Sequence, residues 1–325
     1  RKARGEAKPG SAAALWTDRL LAGREKARRG ARRLLARRER LLSLLEELAA
    51  GMDLGFLYDP ERRLFAVGYD VGERRLDTSY YDLLASEARL ASFVAIARGD
   101  VPLEHWAALG RPFGAARGEP VLLSWNGTIF EYLMPALFNE AFTGSLLSHA
   151  GRRAVELQMD YARRRGIPWG ISEAAFSALD ANRIYQYRAF GVPSLGLKRG
   201  LEEDVVVAPY ATALALAVDP VAAVENLRLL ARFGLRGPYG FYESIDFTRE
   251  RCPEGERGVI VYAYMAHHQG MSLVSLVNAL LDGIMRRRFH ADPRVKAAEA
   301  VLYERVPTEP PPAILPGGEG PPPRI

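Results

Sequence analysis

Cysteine is all but missing from this chain: Cys252 is the only one in 325 residues. That excludes a disulfide framework and a thiolate metal site. Histidine is scarce too, five in all, and only His267 and His268 adjoin. Neighbouring histidines project to different faces of a helix, and no further ligand stands at motif spacing, so no metal is expected. In His267-His268-Gln269-Gly270, Gln269 and one histidine fit a cavity lining or a helix start better. No apolar run approaches the ~20 residues of a membrane span, and no signal sequence is recognisable. Gly-x-Gly-x-x-Gly, a phosphate loop and a serine elbow are all absent, which leaves nucleotide-dependent, phosphoryl-transfer and serine-hydrolase chemistry without support; no cofactor is expected. The start, Arg1-Lys2-Ala3-Arg4, has no methionine and reads as a piece of something longer.

What is present is ordinary for a globular chain, with 48% hydrophobic and 26% charged residues, enough for one large domain or two small ones. The net charge of +5 is unevenly spread: about +10 falls in the first 41 residues and about −5 in the rest. Residues 1–50 are therefore set apart as a basic amphipathic outer helix, with Arg/Lys alternating with Leu/Ala from Leu15 to Leu48. No aromatic residues interleave with its arginines as a nucleic-acid arm would require, so contact with an acidic membrane surface or a neighbouring domain suits it better.

From 51 to 306 helical patterns dominate, over about 80–98, 128–141, 148–165, 208–217, 219–233, 266–282 and 293–305. A hairpin around Asp59-Pro60 comes before them, and Gly/Pro-rich loops separate them. This pattern predicts an all-α fold, an α/α toroid of inner and outer helices with short β-hairpin insertions. Residues 307–325, rich in proline and glycine, read as a linker or tail.

Four glutamates have apolar or aromatic surroundings. Glu87 has Leu83, Leu84, Leu90 and Ala91 at helical spacing; Glu131 follows Trp125-Asn126-Gly127-Thr128; Glu173 ends Pro168-Trp169-Gly170-Ile171-Ser172; Glu243 ends Tyr239-Gly240-Phe241-Tyr242. A buried ion pair or a helix cap explains any one of them, but four beside aromatic rings point to a sugar-binding cavity. Glycosidic cleavage commonly uses two carboxyls: a protonated one on the leaving oxygen, and an ionised one that attacks or activates the attacking group. Glu87, Glu173, Glu131 and Glu243 are all candidates. The residues expected to meet substrate are Tyr58, Tyr80, Tyr81, Asp82, Arg89, Trp125, Trp169, Tyr185, Gln186, Tyr187, Arg188, Tyr242, His267, His268 and Gln269. Tyr185-Gln186-Tyr187-Arg188 is too polar for a core helix and fits a sugar-contacting loop. Asn126-Gly127-Thr128 matches a glycosylation sequon but reads better as a helix entry that caps the turn before Glu131.

Several long segments, in order, carry a family resemblance: Gly55 to Phe65, Tyr80 to Phe93, Leu123 to Pro135, Pro168 to Glu173, Tyr185 to Gly191, Tyr239 to Asp246 and Met265 to Ser272. Together they span about Met52 to Val306, and there the chain resembles the glycoamylase-like central domain of cyclic β-1,2-glucan synthases. The resemblance implies an (α/α)6 barrel that acts on linear β-1,2-glucan by retaining transglycosylation and closes it into rings. It makes Glu87 the general acid/base and Glu173 the nucleophile or the base that activates one, with Glu131 and Glu243 in equally well matched segments. It also implies partner parts, a glycosyltransferase and a phosphorylase-like domain, on the cytoplasmic side of the inner membrane; neither is present in this sequence. An inverting endo-β-1,2-glucanase and a non-catalytic glucan-binding domain are the competing readings. A carboxyl separation of about 5–5.5 Å favours direct retention and about 6.5–9.5 Å a water between; retention relayed through a substrate hydroxyl also shows the wider gap. A pure binding domain has no need of four such acids.

Overall fold

The structure, a computed structural model, describes residues 10–307. The tail expected over 307–325 lies, apart from its first residue, outside them, as does the start of the basic segment. The chain divides into two compact units, Arg1–Leu54 and Gly55–Ile325.

In the first unit a single helix runs Ala12–Gly51. Ser11 caps it by accepting from the Ala14 amide, and Arg28 and Arg29 pair with Glu25 one turn away. At 1.5 Å per residue, 40 residues make a rod about 60 Å long. No described helix is long and apolar enough to cross a membrane.

In the second unit the all-α expectation fails. Helical turns take up 48% of the described residues, but strands take up 16% and form six small sheets. Their strands are two to six residues long, too short for period-two alternation to stand out in the sequence. Local chemistry makes them. At the first hairpin, Asp59 Oδ1 accepts from the amides of Glu61 and Arg62, and Arg63 turns the chain at φ 59°, so Tyr58 comes opposite Phe65. The other Asp59 oxygen accepts from the Tyr80 hydroxyl at 2.8 Å, which fastens the third strand, Tyr80–Tyr81, beside Phe65 and Ala66.

That third strand also corrects the helix expected over 80–98: the helix starts only at Arg89 and ends at Arg98 against Gly99 in the left-handed region. Two tyrosines favour a pleated edge, and the Arg89 side chain takes the Ser86 carbonyl at 3.1 Å. Glu87 therefore sits in a turn at the helix entrance, not on a helical face. The segment Tyr185–Arg188 is likewise a strand, paired with Ala174–Leu179 across a turn in which Asp180 accepts from the amides of Asn182 and Ile184.

The remaining helices cluster around one core that includes Phe93, Ile129, Leu146, Ile171, Leu214 and Leu230, each fully buried. Leu146–Arg165 and Pro209–Leu214 both pack on the short helix Ile129–Leu133, and Pro209–Leu214 also packs on Ala266–Leu280. A three-stranded sheet, Val206–Val207, Ser244–Asp246 and Val259–Val261, closes one side and abuts Ala174–Leu179. The segment 124–127 lies so close to 191–196 that only glycine fits: a Cβ on Gly191 would stand 1.6 Å from the Asn126 carbonyl oxygen.

Candidate active site

A cleft of about 490 Å³ opens among Tyr80, Tyr81, Asp82, Ser86, Glu87, Trp125, Asn126, Glu131 and Glu173. It brings together three of the four glutamates from sequence segments far apart. Trp125 is 57% exposed, and an indole left in water beside carboxylates is an apolar platform for a sugar ring. Its loop is fixed by main-chain bonds: the Leu197 amide donates to Ser124 and the Lys198 amide to Trp125, both at 2.9 Å.

The side-chain donor to Glu87 is the Ser86 hydroxyl, at 3.3 Å. Burial raises its carboxyl and the charge of Glu173 adds to that, while the Glu87 amide, the Ser86 hydroxyl and last Arg89 pull the other way. Arg89 itself is engaged elsewhere through its two terminal nitrogens. Its guanidinium donates to the carbonyls of Ser86, Glu131 at 2.8 Å and Tyr132 at 2.6 Å, which ties the Glu87 turn to the C-terminal end of the helix Ile129–Leu133. It is a buried strut, 4% exposed, with no face toward a sugar.

Glu131 touches the cleft but is already occupied. Thr128 and Glu131 form a capping box, as the reading of Asn126-Gly127-Thr128 as a helix entry anticipated. The carboxylate accepts from the Ser124 hydroxyl, the Asn126 amide, the Thr128 amide and the Thr128 hydroxyl, all at 2.9 Å. Three of these donors meet Oε2 and one meets Oε1, so the carboxylate holds the loop that carries Trp125.

Glu173 differs. Its main chain is pinned: Tyr210 donates to its carbonyl at 2.9 Å, and Ser172 joins the Tyr210 hydroxyl at 2.8 Å. Its side chain takes one hydrogen bond, from the Tyr187 hydroxyl at 2.8 Å. Behind Tyr187 stand both histidines of the helix start, His267 Nε2 at 3.4 Å and His268 Nε2 at 3.3 Å from the same oxygen. The expectation that they face apart is therefore corrected. Their ring centroids are 4.0 Å apart, because side chains in a first turn lean back toward the helix N-terminus. Glu243, 2% exposed, lies deeper and bonds His268 Nδ1 at 2.8 and 3.0 Å; it does not line the cleft.

The other expected contacts divide. Tyr80, Tyr81, Asp82 and Trp125 line the cleft, with the Tyr80 hydroxyl held by Asp59. Tyr58 packs edge-on against Phe65 and His105, and Trp169 is in the core. Arg188 pairs with Asp204 and lies over the rings of Phe176 and Phe190. Tyr242 packs on Tyr262 and Tyr264, and with Gln269 it borders a second cavity of about 170 Å³ on the far side of His268. Tyr185 and Gln186 are on the strand beside Tyr187, Gln186 exposed, and neither borders the cleft. One residue was missed. Tyr210, stacked on His268 at 3.7 Å and 14°, is enclosed in Val205-Val206-Val207-Ala208-Pro209 and looks like core; Pro209 at a helix start was the only available hint.

Comparison with known proteins adds relatives. The glycoamylase family model, described as "Putative glucoamylase", matches residues 79–293. The cyclic β-(1,2)-glucan synthase NdvB of Rhizobium meliloti is 49% identical over 277 residues, 84% of this chain but only 10% of that protein. The chain thus spans about a tenth of the length of this curated relative. Among solved structures, a "putative glucoamylase" of Bacteroides caccae superposes with a TM-score of 0.61 at 17% identity, covering 82% of this chain and 65% of that one. An endo-β-1,2-glucanase of Chitinophaga pinensis, solved with sophorotriose and glucose, gives 0.59 at 16% identity with the same coverage. At such identities the two structures speak for the fold.

Proposed function

The chain belongs to the glycoamylase family, and on that premise we propose that it cleaves and re-forms β-1,2 bonds of linear β-1,2-glucan, with Glu87 and Glu173 as its working carboxyls. The substrate rests on the relative at 49% identity, whose name gives its product as a β-1,2-glucan. One observation carries the pairing: Glu87 and Glu173 line the same cleft in unlike surroundings. Burial raises the Glu87 carboxyl, the direction a general acid needs, whereas Glu173 accepts a hydrogen bond from the Tyr187 hydroxyl at 2.8 Å.

In the proposed reaction Glu87 gives its proton to the glycosidic oxygen as the bond to the anomeric carbon breaks. Glu173 attacks that carbon or activates the group that does. An acceptor hydroxyl then displaces Glu173 from that carbon, or displaces the group Glu173 activated, which takes its proton back; as the new bond forms, the acceptor's proton goes to Glu87. When the acceptor is the other end of the same chain, the product is a ring. Companion glycosyltransferase and phosphorylase-like parts on a longer, membrane-associated chain belong to this proposal. The test is incubation of the purified chain with linear β-1,2-glucan and chromatography of the products. Rings, or linear products redistributed in length without new reducing ends, are expected; new reducing ends alone would make the enzyme a hydrolase.

A further inference from the structure

A further cavity, of about 230 Å³, shares no wall residue with the cleft; Arg89, Asn139, Glu140, Ser148, Arg152 and Arg286 give it its polar side. Leu133, Leu147 and Val218 give it an apolar one. Bonds outside the cavity hold its walls. Asn278 donates to the Leu137 carbonyl and accepts from the Met285 amide, both at 2.9 Å, which sets the turn before Asn139 and the helix Ile284–Phe289 that carries Arg286. Ser145 caps the helix Leu146–Arg165, which brings Ser148 and Arg152. Two buried polar groups on the wall are nevertheless unmet. The Asn139 side chain, 3% exposed, has a hydrogen-bond partner at neither its nitrogen nor its oxygen. A buried amide left so is rare and costs stability. Arg89 gives its terminal nitrogens to main-chain carbonyls alone, and its Nε hydrogen is unused. Among the described residues no carboxylate forms an ion pair with it; Glu87, whose charge reaches it, stands beyond that distance. Glu140 is the only carboxylate among the described wall residues, and it faces Arg286 Nε at 3.3 Å. Arg152 turns to Glu156, also at 3.3 Å. Three guanidiniums against one carboxylate leave the wall positive, with the buried Arg89 as its unpaired charge.

We infer that this cavity binds a small organic oxyanion, a phosphate or a carboxylate, with Arg89 and Arg286 as its counter-charges and the Asn139 amide as a further donor. Guanidinium donors match the oxygens of such a group, and an anion supplies the charge that a buried arginine otherwise lacks. No bond fixes the Asn139 side chain, so its amide is free to turn its hydrogens to an anion oxygen. Water would satisfy Asn139 but leave Arg89 without a counter-charge. Size narrows the class. At about 30 Å³ for a water, the cavity takes about eight non-hydrogen atoms. That is more than the charged group by itself, so a short body lies against Leu133, Leu147 and Val218, and it is too little for a stretch of polysaccharide. The site goes beyond the reading of the cleft and does not depend on it.

The test is titration of the whole chain at constant ionic strength with inorganic phosphate, malonate and succinate, with glucose and sodium chloride as controls. Calorimetry reads the binding, and the ¹⁵N side-chain amide resonance of Asn139, assigned from its loss in Asn139→Ala, reads the place. At least one of the three oxyanions should saturate a single site with a Kd of about 1 mM or tighter and move that resonance, while glucose and chloride do neither. Phosphate ahead of the two dicarboxylates marks a phosphate ester as the ligand; the reverse order marks a carboxylic acid. Asn139→Ala and Arg286→Met should each weaken binding by about tenfold or more, the scale of one hydrogen bond to a charged group. Arg164→Met, an exposed arginine that is not on the cavity wall, should leave it unchanged. The Asn139 side chain makes no bond that folding would miss, and Arg286→Met gives up only a partly exposed pair, so either variant carries the test if the other does not fold. No saturation by any of the three up to about 20 mM, some twentyfold above the expected Kd, would mean that the cavity holds only water and overturns the inference. Saturable binding that both variants leave unchanged, or that does not move the Asn139 resonance, would place the anion elsewhere and overturns it too, as does glucose bound as tightly as the anions.

Discussion

The Tyr187 hydroxyl gives its hydrogen to Glu173 at 2.8 Å, from the strand that pairs antiparallel with the one Glu173 precedes. The ladder between Ala174–Leu179 and Tyr185–Arg188 thus does more than hold a hairpin: it sets the distance between a cleft carboxylate and the hydroxyl that donates to it. Glu87 has no donor of that quality. Two acids in one cleft are made unequal by what the chain puts beside each.

Glu131 should matter for stability through its cap. Thr128→Ala removes the N-cap hydroxyl and should cost about 1 kcal/mol. Glu131→Gln keeps the shape but turns an amide group toward the Ser124, Asn126 and Thr128 donors, and should cost about 1–3 kcal/mol. Denaturant melts of both variants check this. A Glu131→Gln protein as stable as the unaltered chain would show that the four bonds carry no weight.

Arg89→Met should be among the most damaging single changes. It leaves the buried carbonyls of Glu131 and Tyr132 without donors, at about 1–3 kcal/mol each, and cuts the strut between the Glu87 turn and the helix beginning at Ile129. Arg89→Lys should recover only part, since one ammonium cannot reach both carbonyls with the planar fork. Thermal melts rank the three proteins, and equal melting temperatures for Lys and Arg would contradict the strut.

The raised Glu87 carboxyl links pH to stability. Its folded value lies above its unfolded one, so the stability it contributes is present below the unfolded value and lost as pH rises through the folded value. Glu87→Gln mimics the protonated acid at every pH. The variant should therefore match the unaltered chain near pH 4 and be more stable at pH 8, while kcat/KM of the unaltered enzyme falls as Glu87 loses its proton. Melts at the two pH values decide it, and a variant less stable at pH 8 would mean Glu87 is not strained by burial.

Much of the site was legible before the fold. The signal for Glu87, Glu131, Glu173 and Glu243 was carboxylates among apolar and aromatic neighbours, and each has a buried or cleft-lining place. The division of labour among them was not legible. Glu131 became a cap because Ser124 and Thr128 converge on it, and Glu243 became the partner of His268 because a helix start brings that ring back across a long sequence distance. From 146 onward the helix positions were readable from apolar period except for the short Ile284–Phe289, whereas strands of two or three residues left no period to read. Tyr80 and Tyr81 were taken for helix because their partners, Ala66 and Phe65, are set by a turn some twenty residues earlier.

Gly191 tests the link from backbone to cleft. An alanine there would drive a methyl group into the Asn126 carbonyl oxygen and displace the loop that carries Trp125. A loss of about 3 kcal/mol or more is expected, since overpacking against main chain cannot be relieved by a rotamer change. Stability and β-1,2-glucan turnover should fall together; full turnover in Gly191→Ala would separate the Trp125 loop from function.

The central claim, that Glu87 and Glu173 cleave β-1,2 bonds, is tested most directly by turnover of linear β-1,2-glucan by the unaltered chain, Glu87→Gln and Glu173→Gln, with β-1,3-glucan, β-1,4-glucan and starch at equal mass. The unaltered chain should act on the β-1,2 polymer alone, because wrong linkages leave buried polar groups unpaired. Each variant should fold and lose about a thousandfold or more, on the order of 4 kcal/mol in the barrier. A variant that keeps a tenth of the turnover, or comparable activity on starch, would contradict the account.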